Sequence, residues 1–217
     1  MMLPYTIEVF FAAMGRYNAQ YAVLVALLAA LSLSAFVLAV RGTRGAWQDR
    51  AVGSVLAAGA LMSGWAHQWG LMAGLNFMAG VYAPVWIAQA IVLAGTLALR
   101  PQISFFAGPR GAARTGGLIL AGLGVLGHPL ALLALGTAPA SLPLAGSAPD
   151  PTAILTAGLL AAARGPRWLR LVLLLVPLAW GGVAATSAYL LAFPLDYAVG
   201  AAALMALALI LLDDRRR

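Results

Sequence analysis

Few residues in this chain are able to do chemistry. His67 and His128 are the only imidazoles among 217 residues. Two aspartates sit beside proline, as Asp150-Pro151 and Pro194-Leu195-Asp196. Tyr82, Gln89 and Thr96 recur every seven residues, which puts them on one helical stripe. Thr152 and Thr156 stand one turn apart just beyond Asp150. Histidines with an aspartate are zinc ligands in three-ligand sites, and a pair of histidines clamps a haem axially. The same groups suit a proton-coupled ion or a polar solute. The plainer readings are interhelical hydrogen bonding by each histidine, worth about 1 kcal/mol, and helix capping by each aspartate ahead of its proline. No His-Glu-x-x-His spacing, phosphate loop, nucleophile elbow or carboxylate pair at catalytic spacing occurs in the sequence. A metal, if bound, therefore falls to His67 and His128. No cofactor is indicated by motif, and catalysis is the less favoured reading.

The elements that position these groups follow from composition. Hydrophobic residues make up 63% of the chain and charged residues 9%, against roughly a quarter charged in soluble domains. Such a chain has lipid as its solvent. Cysteine is absent, which excludes disulfides and thiolate metal sites. Lysine is absent too, which excludes Schiff-base chemistry of the retinal kind. The net charge of +7 does not point to nucleic acid, because the arginines fall in small groups between apolar runs. No basic residue precedes Arg16, so the opening is not a removable secretory signal.

The expected fold is all-α. It is a single polytopic transmembrane helix bundle over residues 1–217, with an interfacial helix in 1–18 and about seven spans near 19–40, 51–69, 81–99, 115–135, 151–163, 168–189 and 197–212. In the first helix Thr6 caps, Glu8 sits in the positive first turn, and Phe10, Phe11 and Met14 face the bilayer boundary; continuity with the first span is the other reading. Arg41, Arg44 and Arg50, then Arg100, Arg110 and Arg114, then Arg164, Arg167 and Arg170, and finally Arg215, Arg216 and Arg217 occupy alternate loops and the carboxyl end. Short positive loops stay in the cytoplasm. The amino end is then outside and the carboxyl end cytoplasmic.

The fifth apolar run, 151–163, covers only about 20 Å of roughly 30 Å of hydrocarbon. Either residues 136–150 dip into the bundle as irregular backbone, lining a site as broken helices do in transporters, or the helix extends through Ala148 and Arg164. By helical rise, His67 lies about 24 Å and His128 about 18 Å from the inner boundary, with Gln89 level with them and Asp150, Asp196 and Gln68 just above. His67 shares its face with Ser63, Gly64, Ala60 and Gly53, and His128 with Gly124, Ala121 and Gly117. Pro129 bends the helix beside His128, and Pro177 with Gly181 and Gly182 kinks the sixth. The simplest arrangement is a polar pocket opening outward among the second to fifth spans.

Four stretches carry a likeness: Leu3-Pro4-Tyr5-Thr6 through Tyr17-Asn18; His67-Gln68-Trp69 with Asn76; Pro149-Asp150-Pro151-Thr152 with Thr156 and Gly158; and Pro177-Leu178-Ala179-Trp180 through Pro194-Leu195-Asp196. On these the chain resembles an uncharacterised family of bacterial multi-pass integral membrane proteins, a domain of unknown function. The resemblance implies no activity and implies the bacterial inner membrane as location. It singles out Asn18, His67, Asn76, Thr152 and Asp196. Members of the family often carry cysteine where Asp150 stands, which speaks against a thiol role here. The expected pocket set is therefore Asn18, His67, Asn76, Tyr82, Gln89, His128, Asp150, Thr152 and Asp196. The expected partners are the lipid bilayer and a small solute or ion, in transport or an accessory role; oligomeric state is left open. The alternatives are a haem- or metal-holding membrane protein and an enzyme acting on a lipid at the outer leaflet.

Overall fold

The computed structural model describes residues 5–42, 45–106 and 111–213. Arg44, Arg110, Arg215, Arg216, Arg217 and the Leu3-Pro4 opening lie outside the described residues. Among those described, the regular elements are all helical, with a single isolated bridge between Ser104 and Arg164. Helix α1 is Ile7–Gln20 and α2 is Ala22–Arg41. Helix α3 is Ala46–Met62, continued by a π-helical stretch Ser63–Leu71. Helix α4 is Ala79–Leu93, continued by a π-helical stretch Ala94–Leu99. Helix α5 is Ala112–Gly122, and it passes through a π-helical stretch Leu123–Gly127 into His128–Ala134. Helices α6, α7 and α8 are Pro149–Ala162, Arg167–Leu190 and Tyr197–Asp213. Five of these are long and apolar enough to cross a membrane: α2, α4, α5, α7, and α8 with its lead-in from Pro194.

Helix α1 is a separate element that breaks from α2 at Tyr21. Thr6 accepts from the Val9 N–H at 3.5 Å, as its capping role requires. The expected bilayer-facing side is not offered outward: Met14 is fully buried. Phe11 packs edge-on to Phe193. The apolar side of α1 covers the bundle instead.

Helix α6 is the centre of the fold, and it is short. Thirteen of its fourteen residues are buried, and its length is about 21 Å at the α-helical rise. Small residues let α5 reach it. A Cβ at Gly158 would overlap the Ala121 backbone nitrogen, and one at Gly117 the Ala162 nitrogen. Backbones this close maximise dispersion where hydrocarbon offers no hydrophobic drive between helices.

Irregular backbone completes both ends of α6. At one end Ile103, Phe105 and Phe106 are buried. Ser104 and Arg164 exchange backbone hydrogen bonds of 2.7 and 2.8 Å. Asp49 accepts from the Phe105 N–H at 2.7 Å. Arg114 donates to Phe105 O at 3.0 Å and Ala39 O at 2.7 Å. Arg170 donates to Ala163 O at 3.0 Å and lies 3.8 Å from Asp213. These bonds gather the arginine-bearing segments at a single end of the molecule. Arg114 and Arg170 are thus more than charge markers, because each satisfies carbonyls left open at helix ends.

At the opposite end, residues 136–148 remain irregular yet reach the interior, and Leu142, Pro143 and Ala145 to Pro149 are buried. The extended-helix alternative does not hold at either end, since α6 starts at Pro149 and stops at Ala162. The segment is fastened by side chains. Tyr17 donates to Ser147 O at 2.7 Å. Asn18 donates to Ala140 O at 2.8 Å and Leu142 O at 2.9 Å. The Gly146 N–H donates to Thr152 Oγ1 at 2.8 Å. Gly146 has φ +86°, and a side chain there would strike Ser32 and Leu28. Only glycine fits both demands.

Two features escape helical periodicity. The π-helical stretches widen the turn in α3, α4 and α5, so an α-helical stripe drawn through them is broken. The Tyr82–Gln89–Thr96 stripe ends this way, with Thr96 bonding back to Val92 O at 2.7 Å. Pro177 also lacks the N–H that would serve Leu173 O four residues earlier. Gln89 donates to that carbonyl at 2.8 Å.

Overpacking the α5–α6 contact should be costly. Gly158→Val is expected to lower stability by about 3 kcal/mol, read as unfolding in mixed micelles. Gly182→Ala meets open space and should be neutral. Equal stability of the two variants contradicts this packing.

Candidate functional site

The first turn of α6 places Asp150 at the end of the bundle opposite the arginines. The short 3-10 turn Pro194–Asp196 places Asp196 at the head of α8. Both carboxylates therefore sit at helix starts, where the backbone dipoles favour negative charge. His128 comes from α5, where the helix recovers from its π-helical stretch and Pro129 follows. His128, Asp150 and Asp196 each offer a ligand atom, and these atoms all lie within 4.8 Å of one another. Neither ring nitrogen of His128 has a hydrogen-bond partner, and the residue is only 5% exposed. Asp150 Oδ1 accepts from the Trp180 indole N–H at 2.6 Å. Trp180 is itself held edge-on by Tyr82 and Trp86, at 5.5 and 5.7 Å between ring centroids.

A cavity of about 50 Å³ adjoins this group. That is room for a few waters or a small ion. His67, Gln68, Asn76, Tyr82, Asp150 and Asp196 line it, and Tyr5, Ile7 and Phe10 contribute from α1 and its approach. The π-helical turn of α3 buries both His67 and Gln68. The His67 ring stands edge-on to Tyr17 at 5.7 Å, and its Nδ1 has no hydrogen-bond partner. Asn76 Oδ1 accepts from the Met78 N–H at 2.9 Å, which shapes the turn into α4.

The structure thus divides the expected pocket set. His67, Asn76, Tyr82, Asp150 and Asp196 share the cavity wall, and His128 joins through the two carboxylates. Asn18, Gln89 and Thr152 do not line it. Gln89 and Thr152 are each spent on a backbone group that would otherwise be buried without a partner, and Asn18 is spent on the carbonyls of Ala140 and Leu142. Of the two histidines named from sequence for a metal, His128 meets the two acids, and His67 lies on the cavity wall. Trp180 and Tyr5 are the residues that sequence reasoning left out of the site. The signal for Trp180 was its position three residues after Pro177 on α7.

Residues 7–217 match a family of unknown function (DUF6064). The chain belongs to this family. No curated protein matches it, and neither does any solved structure. Membership covers the cavity residues from His67 to Asp196 and adds no chemistry beyond that which their geometry provides.

Burial, and behind it the charges of Asp150 and Asp196, pushes the Tyr5 phenol from 10.0 up to about 12. A raised pKa means that the folded state favours the neutral phenol. The resulting stability is intact below about pH 10 and is lost as pH climbs towards 12. Thermal unfolding followed from pH 9.5 to 11.5 should therefore fall less steeply in Tyr5→Phe than in the parent. Parallel curves contradict the burial of the Tyr5 phenol.

Proposed function

We propose that this protein is a bacterial inner-membrane protein that crosses the bilayer seven times, amino end outside, and binds a small cation or cationic polar solute in the cavity at its outer end. The reading is one of transport or an accessory binding role. Its orientation is supported by the twelve arginines on alternate loops and the carboxyl end, together with the bonds that draw the described arginine segments to one end. Seven crossings need α3 and α6 as well as the five long apolar helices. Helix α6 qualifies because its neighbours and the buried segments at its ends keep it from lipid.

The observation that carries the ligand reading is the juxtaposition of two carboxylates and an unpartnered imidazole beside a small cavity. Acidic groups at such depth are expensive and mark binding sites or relays. The cavity, at about 50 Å³, offers no slot for a porphyrin, so the haem reading gains no support. The lipid-enzyme reading gains no support from the cavity of about 50 Å³ beside His128, Asp150 and Asp196, which is too small for an isoprenoid.

The test is a thermal-shift screen of the full-length protein in detergent against monovalent cations, divalent cations and small amines. A ligand at a hundred times its dissociation constant stabilises by about 2.7 kcal/mol. The expected result is such a ligand, with the shift lost in Asp196→Asn. A shift that survives the substitution, or no ligand at all, overturns the reading. Reporter fusions should place residues 136–150 and 100–114 on opposite faces; finding them on one face overturns the orientation.

A further inference from the structure

The three side chains that converge at the head of α6 supply one nitrogen and two oxygen donors. We propose that His128, Asp150 and Asp196 hold a divalent first-row transition ion, of the series from manganese to zinc. The proposal rests on the cation-binding reading above and narrows it to one class of ion and one set of atoms.

Geometry comes first. The candidate ligand atoms lie within 4.8 Å of one another. Around a zinc-like ion with bonds of about 2.0–2.2 Å, ligands stand roughly 3.5 Å apart. Small side-chain rotations close that gap without moving a helix. His128 is an observation independent of the acids. A buried imidazole ordinarily finds a hydrogen-bond partner, yet both nitrogens of this one are unpartnered and sit beside two carboxylates.

Charge points the same way. Two carboxylates and a neutral imidazole sum to −2, which a dication neutralises. The described arginine clamps that could otherwise compensate lie at the opposite end of the bundle. Trp180 occupies Asp150 Oδ1 at 2.6 Å. That bond fixes the carboxylate plane and leaves Oδ2 for the ion, the part outer-shell donors play at metal sites. Asp150 and Asp196 also face the cavity, so a fourth position is open to water or an exchanging ligand.

The donor set selects the ion. Calcium takes six to eight oxygens and magnesium a near-ideal octahedron, whereas imidazole with carboxylates suits manganese, iron and zinc.

The test uses the full-length chain in detergent, stripped with a chelator and titrated with Co²⁺ alone, followed by visible absorption. Zn²⁺ alone is then read by competition. The expected result is one saturable equivalent, displaced by Zn²⁺ and unaffected by Mg²⁺ at equal concentration. Asp196→Asn and His128→Ala should lose it. Trp180→Phe should keep the stoichiometry with affinity about 10- to 100-fold weaker. Absence of a saturable equivalent overturns the proposal, and so does parental affinity in Asp196→Asn or His128→Ala. Should those variants fail to fold, X-ray absorption on the cobalt-loaded parent decides: a nitrogen donor supports the site, and an all-oxygen shell overturns it. A monovalent cation or amine whose binding Asp196→Asn abolishes, with no Co²⁺ bound, overturns this proposal and leaves the broader cation reading standing. Failure of every ligand overturns both.

Discussion

A buried helix end leaves backbone groups that must find partners without water, and α6 has two such ends inside the molecule. Crossing the bilayer as proposed, its fourteen residues would cover about 21 Å of a hydrocarbon layer of about 30 Å. Much of the remaining architecture answers that shortfall. Glycines on α5 and α6 bring backbones into contact, and irregular segments fill the space above and below. Asn18, Tyr17 and Thr152 fasten one of those segments, and Asp49, Arg114 and Arg170 the other. Conspicuous polar residues thereby serve the backbone and not a ligand.

The same shortfall creates the site. Because α6 begins inside the bundle, its first turn carries Asp150 inward, and at the depth proposed above a carboxylate is costly. The turn ahead of α8 brings Asp196 to the same place, and α5 presents His128 to both where its π-helical stretch ends. Each carboxylate gains from a helix start, and Asp150 gains further from the Trp180 indole. Two like charges at this spacing still repel, and the His128 nitrogens have no partner of their own. A cation removes both penalties at once, which is why the cluster reads as a binding site and not as a structural ion pair.

The apolar runs and arginine groups made the rods legible from sequence, with ends displaced by only a few residues except at α3, which starts at Ala46. The stretch ahead of α6 was legible only as a choice, because thirteen apolar residues fall short and either a buried irregular segment or a longer helix makes up the difference; the helix starts only at Pro149. Three things were not. The π-helical turns obey no apolar period, so the faces assigned to His67 and to the Tyr82–Gln89–Thr96 stripe drifted. The link between Gln89 and Pro177 joins residues 88 positions apart and needs the α4–α7 contact to be known, since the bond reaches Leu173 O. The pairing of His128 with acids instead of with His67 depends on where three helices meet, which no local spacing encodes.

The central claim is that Asp150 and Asp196 share a single electrostatic environment although they stand 46 positions apart in sequence. A double-mutant cycle of Asp150→Asn and Asp196→Asn, read as unfolding free energy in mixed micelles without added metal, measures that directly. Residues in contact couple by about 0.5–3 kcal/mol. The account predicts non-additivity in that range, with either single substitution relieving the repulsion that the other would also relieve. Additivity within about 0.3 kcal/mol, the behaviour of distant sites, would contradict it.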